Sequence, residues 1–183
     1  MRKIIKNPVA IIAFLLIIVT SFLNNQSNQK ITSKNLSQVI PTPTSTPAQT
    51  QLFKVTRVID GDTIEIENGQ KVRYIGINTP EMDDKDPVKL CLAKIATLEN
   101  KKLVEGKEVK LEKDISETDK YDRLLRYVYI GEIFVNDYLV RQGFAQISTY
   151  PPDVKFKEQF KKAEQEAQDN NRGLWNKELC QTN

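Results

Sequence analysis

The segment RYIGINTPE, residues 73–81, places oxygen-bearing side chains directly after an apolar stretch. Asn78 offers an amide oxygen, Thr79 a hydroxyl and a backbone carbonyl, and Glu81 a carboxylate. Asp62 supplies a second carboxylate from the preceding part of the chain. Carboxylate, amide and carbonyl oxygens are the ligands that hard cations such as Ca²⁺ prefer. The residues therefore predict a cation site, with Glu81 free to hold a water molecule.

Two arginines add positive charge to this set. Arg73 begins the same segment, and Arg123 begins a predicted strand after the polar turn TDKYD. Two guanidinium groups, a cation and a free carboxylate together suit phosphoryl transfer, in which charge develops on the phosphate oxygens while water attacks. A purely structural interpretation is also open, because an ion pair between Asp62 and Arg73 could serve only to close one end of the fold.

The composition restricts the chemistry further. The chain has 183 residues and no histidine, which excludes histidine metal sites, Ser-His triads and most histidine acid–base schemes. The formal charge is +3, but five of the 27 basic residues and none of the 24 acidic residues lie in the first fifty. The rest of the chain has 22 basic and 24 acidic residues, a charge of −2. Any phosphate binding must therefore be local, because a broad basic face is missing.

Short alternating apolar runs predict five β-strands that position these residues. The runs are LFKVTRVID, DTIEIE, KVRYIGI, EVKLEKD and LLRYVYI. Asn68-Gly69, between the second and third runs, predicts a two-residue hairpin loop. Such a loop would pair Ile64 with Arg73. It would also make Asp62 and Arg73 diagonal neighbours on an inward-facing surface that is otherwise isoleucine.

Three helices accompany the strands. The second is predicted over residues 135–142, closed by Gly143, and the third begins with Asp153 as its cap. The apolar stripes of the first and third helices are Leu92, Ile95, Ala96 and Leu103, and Phe156, Phe160, Ala163 and Ala167. This order predicts an α+β fold, mainly β: a five-stranded oligonucleotide-binding (OB) barrel with three helices, in which Gly61 and Gly76 are corner residues.

The first fifty residues differ in composition from the rest. The apolar run Val9 to Val19 follows basic residues and is shorter than the roughly 20 residues that span a bilayer. Residues 1–23 are therefore predicted to be a signal peptide, or an N-terminal membrane anchor, since no small-x-small cleavage site follows. Residues 24–50 read as a disordered linker, residues 51–178 as the folded domain and residues 179–183 as a tail. We expect a domain that works outside the cytoplasm, secreted or anchored, and that contacts a membrane only through its N-terminal segment.

Two cysteines, Cys91 and Cys180, allow a single internal pairing. An exported domain meets an oxidising compartment, which favours a disulfide between them. Two unpaired thiols are the alternative. The disulfide would tie the C-terminal tail to the segment before the first helix and close a long loop, which stabilises the fold by about 4 kcal/mol in the chain-entropy model.

Four segments of the chain resemble the signature segments of the staphylococcal-nuclease-like, or thermonuclease, family. They are VIDGDT, RYIGINTPE, TDKYDR and VNDYLVRQGFA, in the family's order, and the likeness covers residues 52–176. The resemblance implies an OB-fold barrel and Ca²⁺-dependent hydrolysis of DNA and RNA to 3′-phosphate products. We expect the partners to be DNA and RNA, preferably single-stranded or frayed, and the protein to be a monomer.

The resemblance also implies roles for the residues singled out above. Arg73 and Arg123 would grip the scissile phosphate, and Glu81 would be the general base or the group that positions water. Asp62 would be a metal ligand, and Thr79 would contribute its backbone carbonyl.

Three further residues match substrate-binding positions of the family. Lys120 and Tyr121 would hold the terminal phosphate or sugar of a bound nucleotide. Tyr150 would form an aromatic wall for a base, and core packing is the alternative for this side chain.

The chain departs from the family's best-known member at three places. Asn78 stands where that member has a second metal-binding aspartate, and an amide oxygen brings no charge, so calcium affinity should fall or other divalent cations be accepted. The loop Met82 to Pro87 is acidic where that member is lysine-rich, which would weaken polyanion capture or recruit the cation. Asp122 replaces a glycine before Arg123, and would orient that arginine or compete for it.

A non-catalytic OB-fold module is the main competing interpretation, because the family includes barrels that lost their active-site residues and act as binding or scaffold domains. The presence of Arg73, Glu81 and Arg123 together favours catalysis. A third class, a cell-surface adhesion barrel on a Pro/Thr tether, would explain the N-terminus but not this set of residues.

Overall fold

The computed structural model describes residues 51–181. The predicted signal or anchor segment, the predicted linker and the last two residues lie outside the described residues. Strands β1 to β8 are Leu52–Val58, Thr63–Ile66, Lys71–Tyr74, Gly76–Asn78, Glu108–Glu112, Leu124–Ile130, Ile133–Phe134 and Gln146–Ser148. Helices α1 to α3 are Pro87–Val104, Val135–Arg141 and Lys157–Asp169, followed by a 3₁₀ turn, Gly173–Trp175.

Five of the strands close into a mixed β-barrel. Strand β1 pairs with β2 and with β5, β2 pairs with β3, and β5 pairs with β6, all antiparallel. The parallel pairing of β3 with β6 closes the ring. Apolar residues at alternate positions, such as Ile64, Ile66 and Val72, are fully buried inside, because successive side chains of a strand face opposite sides. The predicted α+β fold, a five-stranded OB barrel with three helices, is confirmed.

The hairpin between β2 and β3 has a different register from the one predicted. Its loop is one residue longer, because the backbone of Ile66 bonds to Gln70 and the amide of Gly69 returns to the Ile66 carbonyl. A two-residue type I′ loop needs positive φ at both central residues, and of Asn68 and Gly69 only the glycine has one, at +79°. Arg73 therefore pairs with Thr63 rather than with Ile64.

The run KVRYIGI is divided into two strands at Ile75, and Gly76 is the first residue of the second strand. This glycine has φ +80°, and a Cβ atom there would lie 2.6 Å from the ring of Phe160. Beyond it, β4 leaves the barrel and pairs antiparallel with β8, so that Asn78 lies opposite Gln146. This short two-stranded sheet was not predicted. It carries the polar end of the segment away from the barrel wall.

Helix α3 packs on the barrel as predicted, with Phe160, Ala163 and Ala167 buried. Its predicted cap is wrong. The helix begins at Lys157, and Asp153 instead accepts hydrogen bonds from the backbone amides of Ile115, at 3.0 Å, and Ser116, at 2.8 Å. No helix in residues 51–181 has both the length and the apolar character needed to cross a membrane.

Helix α1 buries a stripe that is rotated from the predicted one. Ala96 is buried as expected, but the other fully buried positions are Ala93, Asn100 and Val104. The Asn100 side chain accepts a hydrogen bond from the Tyr74 hydroxyl at 2.9 Å. A buried polar side chain needs such a partner, and the buried face of the helix therefore includes Asn100 as well as small apolar residues.

Cys91 and Cys180 form a disulfide with their Cα atoms 5.9 Å apart. Cys91 lies within α1 rather than in the predicted segment before it, because the helix already begins at Pro87 after its cap Asp86. Cys180 is 8% exposed. The C-terminal segment is thereby attached to the helix that follows the Glu81 loop.

Candidate active site

Arg73 and Asp62 form a largely buried ion pair at one end of the barrel. Arg73 Nε lies 3.1 Å from Asp62 Oδ1. Arg73 also donates to the backbone carbonyls of Tyr74, at 2.8 Å, and Ile77, at 2.9 Å, and to Asn78 Oδ1 at 2.8 Å. These three hydrogen bonds use three of the five N–H groups of the guanidinium, and together with the ion pair to Asp62 they hold Arg73 in one orientation.

Asp62 is 4% exposed and accepts hydrogen bonds on both oxygens. Its Oδ2 accepts from the backbone amide of Thr79, at 2.9 Å, and from the Thr79 hydroxyl, at 3.2 Å. Burial raises the pKa of Asp62 to about 6, against the opposing effect of Arg73, and the charge of Asp60 raises it further. Gly61 permits this close approach, since a Cβ there would lie 2.7 Å from the Thr79 side chain.

The predicted cation ligands lie together beside this ion pair. Asn78 accepts from Arg73 and donates through Nδ2 to the Thr79 carbonyl at 3.2 Å, and Thr79 contacts Asp62. All three offer oxygen atoms, so the chemistry of the donors fits a hard cation. The negative charge is small, however. Residues 51–181 contain no cluster of three or more Asp, Glu, Cys or His side chains placed to hold a metal.

Arg123 is positioned by the polar turn before β6. Asp119 Oδ2 accepts from Arg123 Nε at 2.8 Å and lies 2.7 Å from its NH2. Asp119 Oδ1 accepts from the backbone amides of Tyr121, at 2.9 Å, and Arg123, at 3.1 Å. Burial raises the pKa of Asp119, but the Arg123 and backbone hydrogen bonds outweigh it and hold the pKa below its usual range. The carboxylate that orients Arg123 is therefore Asp119.

The role suggested for Asp122 is wrong. This residue is exposed and has φ +58°, in the left-handed region, and its side chain contacts no guanidinium in the described residues. Glycine adopts this backbone conformation without a steric cost, and aspartate tolerates it better than most residues. The backbone conformation explains why glycine suits this position. The Asp122 carboxylate does not orient Arg123.

A pocket of about 490 Å³ brings the two arginines together. The parallel pairing of β3 with β6 places Arg73 opposite Leu125, so Arg123 enters the pocket from the adjoining turn. The pocket also contains the predicted substrate-binding residues Lys120, Tyr121 and Tyr150. Tyr121 is 66% and Tyr150 74% exposed, which excludes core packing for Tyr150.

Glu81 lies outside that pocket. It lines a neighbouring one of about 310 Å³, together with Asn78 and Thr79. Its side chain is exposed, and this side chain makes no hydrogen bond or ion pair with the rest of the described chain. The hydrogen bond between Arg73 and Asn78 links the two pockets. The structure thus groups the arginines with the substrate-binding residues, and the carboxylate with the candidate cation ligands.

Comparison with known proteins shows which family the chain belongs to. The profile of a family described as staphylococcal nuclease homologue matches residues 71–177. The chain belongs to this family. It is 31% identical over 178 residues to a thermonuclease of Staphylococcus hyicus, covering 96% of this chain and 99% of the relative. It is 37% identical to a thermonuclease of Staphylococcus intermedius, covering 72% and 80%, and 39% identical to endonuclease YncB of Bacillus subtilis, covering 74% and 67%. The family places the protein among the hydrolases, as a nuclease.

Two aspartates that contact the predicted site residues, Asp60 and Asp119, were not predicted from the sequence. Asp60 accepts a hydrogen bond from the backbone amide of Asp62 at 3.0 Å and adds negative charge beside it. Asp119 holds Arg123. Both lie in segments that resemble the family, VIDGDT and TDKYDR, and an aspartate two or four residues from a predicted site residue is close enough to contact it. This spacing could have identified them.

Proposed function

We propose that the protein is a divalent-cation-dependent nuclease that hydrolyses phosphodiester bonds of DNA and RNA and leaves 3′-phosphate products. Family membership and the names of its relatives support a nuclease. The observation that carries the proposal is the single pocket in which Arg73 and Arg123 meet a lysine and two exposed tyrosines. Positive charge there can bind a phosphodiester, and the aromatic faces can bind the bases.

The two arginines would stabilise the charge that develops on the phosphate oxygens during attack. Each is held by a carboxylate, Arg73 by Asp62 and Arg123 by Asp119. Fixed donors of this kind need little reorganisation when charge develops, which is why preorganised electrostatics is usually a large contribution to catalysis.

Glu81 would act as the general base or hold the attacking water. Its carboxylate makes no bond to the described protein, so it is available to a water molecule. A base must lie within hydrogen-bonding reach of the proton it takes. The hydrogen bond from Arg73, in the arginine pocket, to Asn78, in the Glu81 pocket, supports this placement.

Ca²⁺ is the cation that we propose. Because Asn78 brings no charge, the site would also accept another divalent ion. Asp62, Asn78 and Thr79 would hold it, and when bound it supplies positive charge that polarises the phosphate. The chain's own contribution is to keep Asp62 oriented by the Thr79 amide and hydroxyl.

The exposed tyrosines favour single-stranded or frayed substrates. Tyr121 and Tyr150 present their rings to solvent beside the pocket. A base can stack on such a ring only when it is not stacked inside a duplex, and each such contact contributes about 1–3 kcal/mol. Lys120 would contact the terminal phosphate of the bound nucleotide.

The test is release of acid-soluble nucleotides from denatured DNA and from RNA. We expect the full-length protein to be active with millimolar Ca²⁺ and inactive with a chelator, and Glu81→Gln to lose about 10²-fold to 10⁴-fold in rate. Glu132→Gln, a change of an exposed turn carboxylate, is the matched control. Binding of labelled DNA by the unaltered protein without any release would instead favour a non-catalytic OB-fold module.

We also propose that the protein is exported, as a secreted or membrane-anchored enzyme. The basic and apolar N-terminus supports export, and so does the Cys91–Cys180 disulfide, since such bonds persist in oxidising compartments. The intact mass of protein recovered outside the cytoplasm shows whether residues 1–23 have been cleaved off or retained. Recovery only from the cytoplasm would contradict export.

A further inference from the structure

A second groove continues from the candidate active site on the other side of Tyr150. It has a volume of about 740 Å³ and runs along β8 and α3. Ser148 and Tyr150 belong both to this groove and to the pocket that contains the arginines. Asn78 lies at its border with the Glu81 pocket. We call it the α3 groove; it leads away from the proposed site of cleavage.

Two lysines of helix α3 line the α3 groove. Lys157 and Lys161 are four residues apart, so they lie on one face of the helix. Lys157 has no acidic partner within ion-pairing distance in residues 51–181. Lys161 lies 2.9 Å from Glu158, which is 75% exposed, and pairs this exposed contribute little and exchange readily with solvent.

The carboxylate in the α3 groove is already engaged. Glu164 Oε1 accepts a hydrogen bond from the backbone amide of Ile147 at 2.9 Å. This bond attaches the carboxylate to β8, whereas Lys157 has no ion-pair partner in the described residues and Lys161 has only the exposed Glu158. The groove therefore offers exposed positive charge next to an exposed aromatic ring.

We propose that the α3 groove binds the backbone of nucleotides that flank the scissile bond, with Lys157 and Lys161 contacting phosphates. The proposal rests on the proposed nuclease function and adds a binding surface to it. Tyr150, at the junction, presents a ring on which a base can stack. A strand that passes this ring leaves the arginine pocket and enters the groove.

The net charge of the folded part makes these two lysines important for binding a strand. Residues after Thr50 carry a net charge of −2, so the domain as a whole does not attract a polyanion. Affinity for a strand longer than the catalytic pocket must then come from local cations. Each phosphate neutralised by a lysine releases counterions and makes binding salt-dependent.

The test compares Lys157→Ala/Lys161→Ala with Lys101→Ala/Lys162→Ala in full-length protein carrying Glu81→Gln, so that DNA is bound without being cut. Lys101 and Lys162 are exposed and lie outside the α3 groove, so the control removes equal charge. Fluorescence anisotropy measures affinity for a dinucleotide and for an oligothymidylate of about twelve nucleotides, a length that one OB fold can bind.

We expect the groove variant to bind the longer strand about tenfold more weakly than the control does at low salt, with a salt slope smaller by about 1.4. The groove variant should lose much less affinity for the dinucleotide. Equal affinities of the two variants for the longer strand would overturn the proposal, and so would an equal loss for both lengths. Nuclease activity is measured separately on the unaltered protein, so its failure is distinguishable from failure of the groove.

Discussion

At the scale of single residues, the two arginines are held very differently. Arg73 forms an ion pair with Asp62 and donates hydrogen bonds to two backbone carbonyls and to Asn78. Arg123 contacts one carboxylate, Asp119, through Nε and NH2, and its guanidinium lies 5.3 Å from the centre of the Tyr121 ring. Arg123 therefore has more donors available for a phosphate, and its orientation depends on one carboxylate.

We expect Asp119→Asn to lower the rate of DNA cleavage by about tenfold or more, because a misplaced catalytic group costs rate even when the fold is intact. The asparagine keeps an acceptor for the two backbone amides and loses the charge that aligns Arg123. The turnover number and the thermal unfolding temperature are measured side by side.

Asp169→Asn is the matched control, since it removes one carboxylate from the exposed end of α3. Asp119→Asn should fall in turnover number while its unfolding temperature stays close to that of this control. Equal rates in the two variants would show that Asp119 does not position Arg123.

Asn78→Asp tests how the site holds its cation. The change adds a charge to a donor set that has few carboxylates, so the half-saturating calcium concentration should fall by about tenfold. Activity is titrated with Ca²⁺, and Asn68→Asp in the β2–β3 loop adds the same charge elsewhere. If calcium dependence is unchanged, residue 78 is not a ligand.

At the scale of elements, the long connection between β5 and β6 is held to the segment before α3. Asp153 accepts the amides of Ile115 and Ser116, and this connection continues into the turn that carries Arg123. Burial raises the pKa of Asp153, but these hydrogen bonds outweigh it and leave the pKa below its usual range. The contact is therefore strongest when Asp153 is ionised.

The folded pKa of Asp153 is lower than the unfolded one, so its contribution to stability is complete above the unfolded pKa of about 3.9. It is lost as the pH falls through the folded value, because the unfolded state then binds the proton more readily. We expect Asp153→Asn to lower the free energy of unfolding by about 1–3 kcal/mol at neutral pH. The difference from the unaltered protein should shrink below pH about 3.9. Urea unfolding at several pH values measures this, and a difference that does not vary with pH would contradict it.

At the scale of the whole molecule, the chain combines a barrel closed by non-local pairing with a covalent tie. The Cys91–Cys180 disulfide spans 89 residues, and so encloses much of the described domain. A loop of this length restricts the unfolded chain more than a short one does. The tie also reaches α1, which follows the loop that carries Glu81.

Cys91→Ser/Cys180→Ser should lower the free energy of unfolding by about 4 kcal/mol. Chemical denaturation with and without a reductant measures the effect. Reductant should shift the unaltered protein toward the double variant and leave the variant itself unchanged. A protein that unfolds identically in both conditions, and identically to the variant, would contradict a stabilising disulfide.

Much of this architecture could be predicted because its causes are local. Alternating apolar residues specify strands, and a stripe such as Phe160, Ala163 and Ala167 specifies the buried face of a helix. Errors arose where two local solutions compete. Asn68-Gly69 suits a two-residue loop as well as the longer one, and Asp153 suits a helix cap as well as a contact with the distant Ile115 amide.

The sequence by itself determined the barrel, its three helices and the family, because periodicity and four ordered segments are written in neighbouring residues. Only the tertiary structure decided which groups meet. The parallel β3–β6 pairing brings Arg73 and Arg123 into one pocket, the turn selects Asp119 over Asp122, and β8 sets the α3 groove beside Tyr150. The strand pairing and the groove join residues far apart in the chain, and the choice of Asp119 depends on the backbone conformation of the turn. A shift of one residue in strand register also moves a side chain to the opposite face. Local patterns do not contain that information.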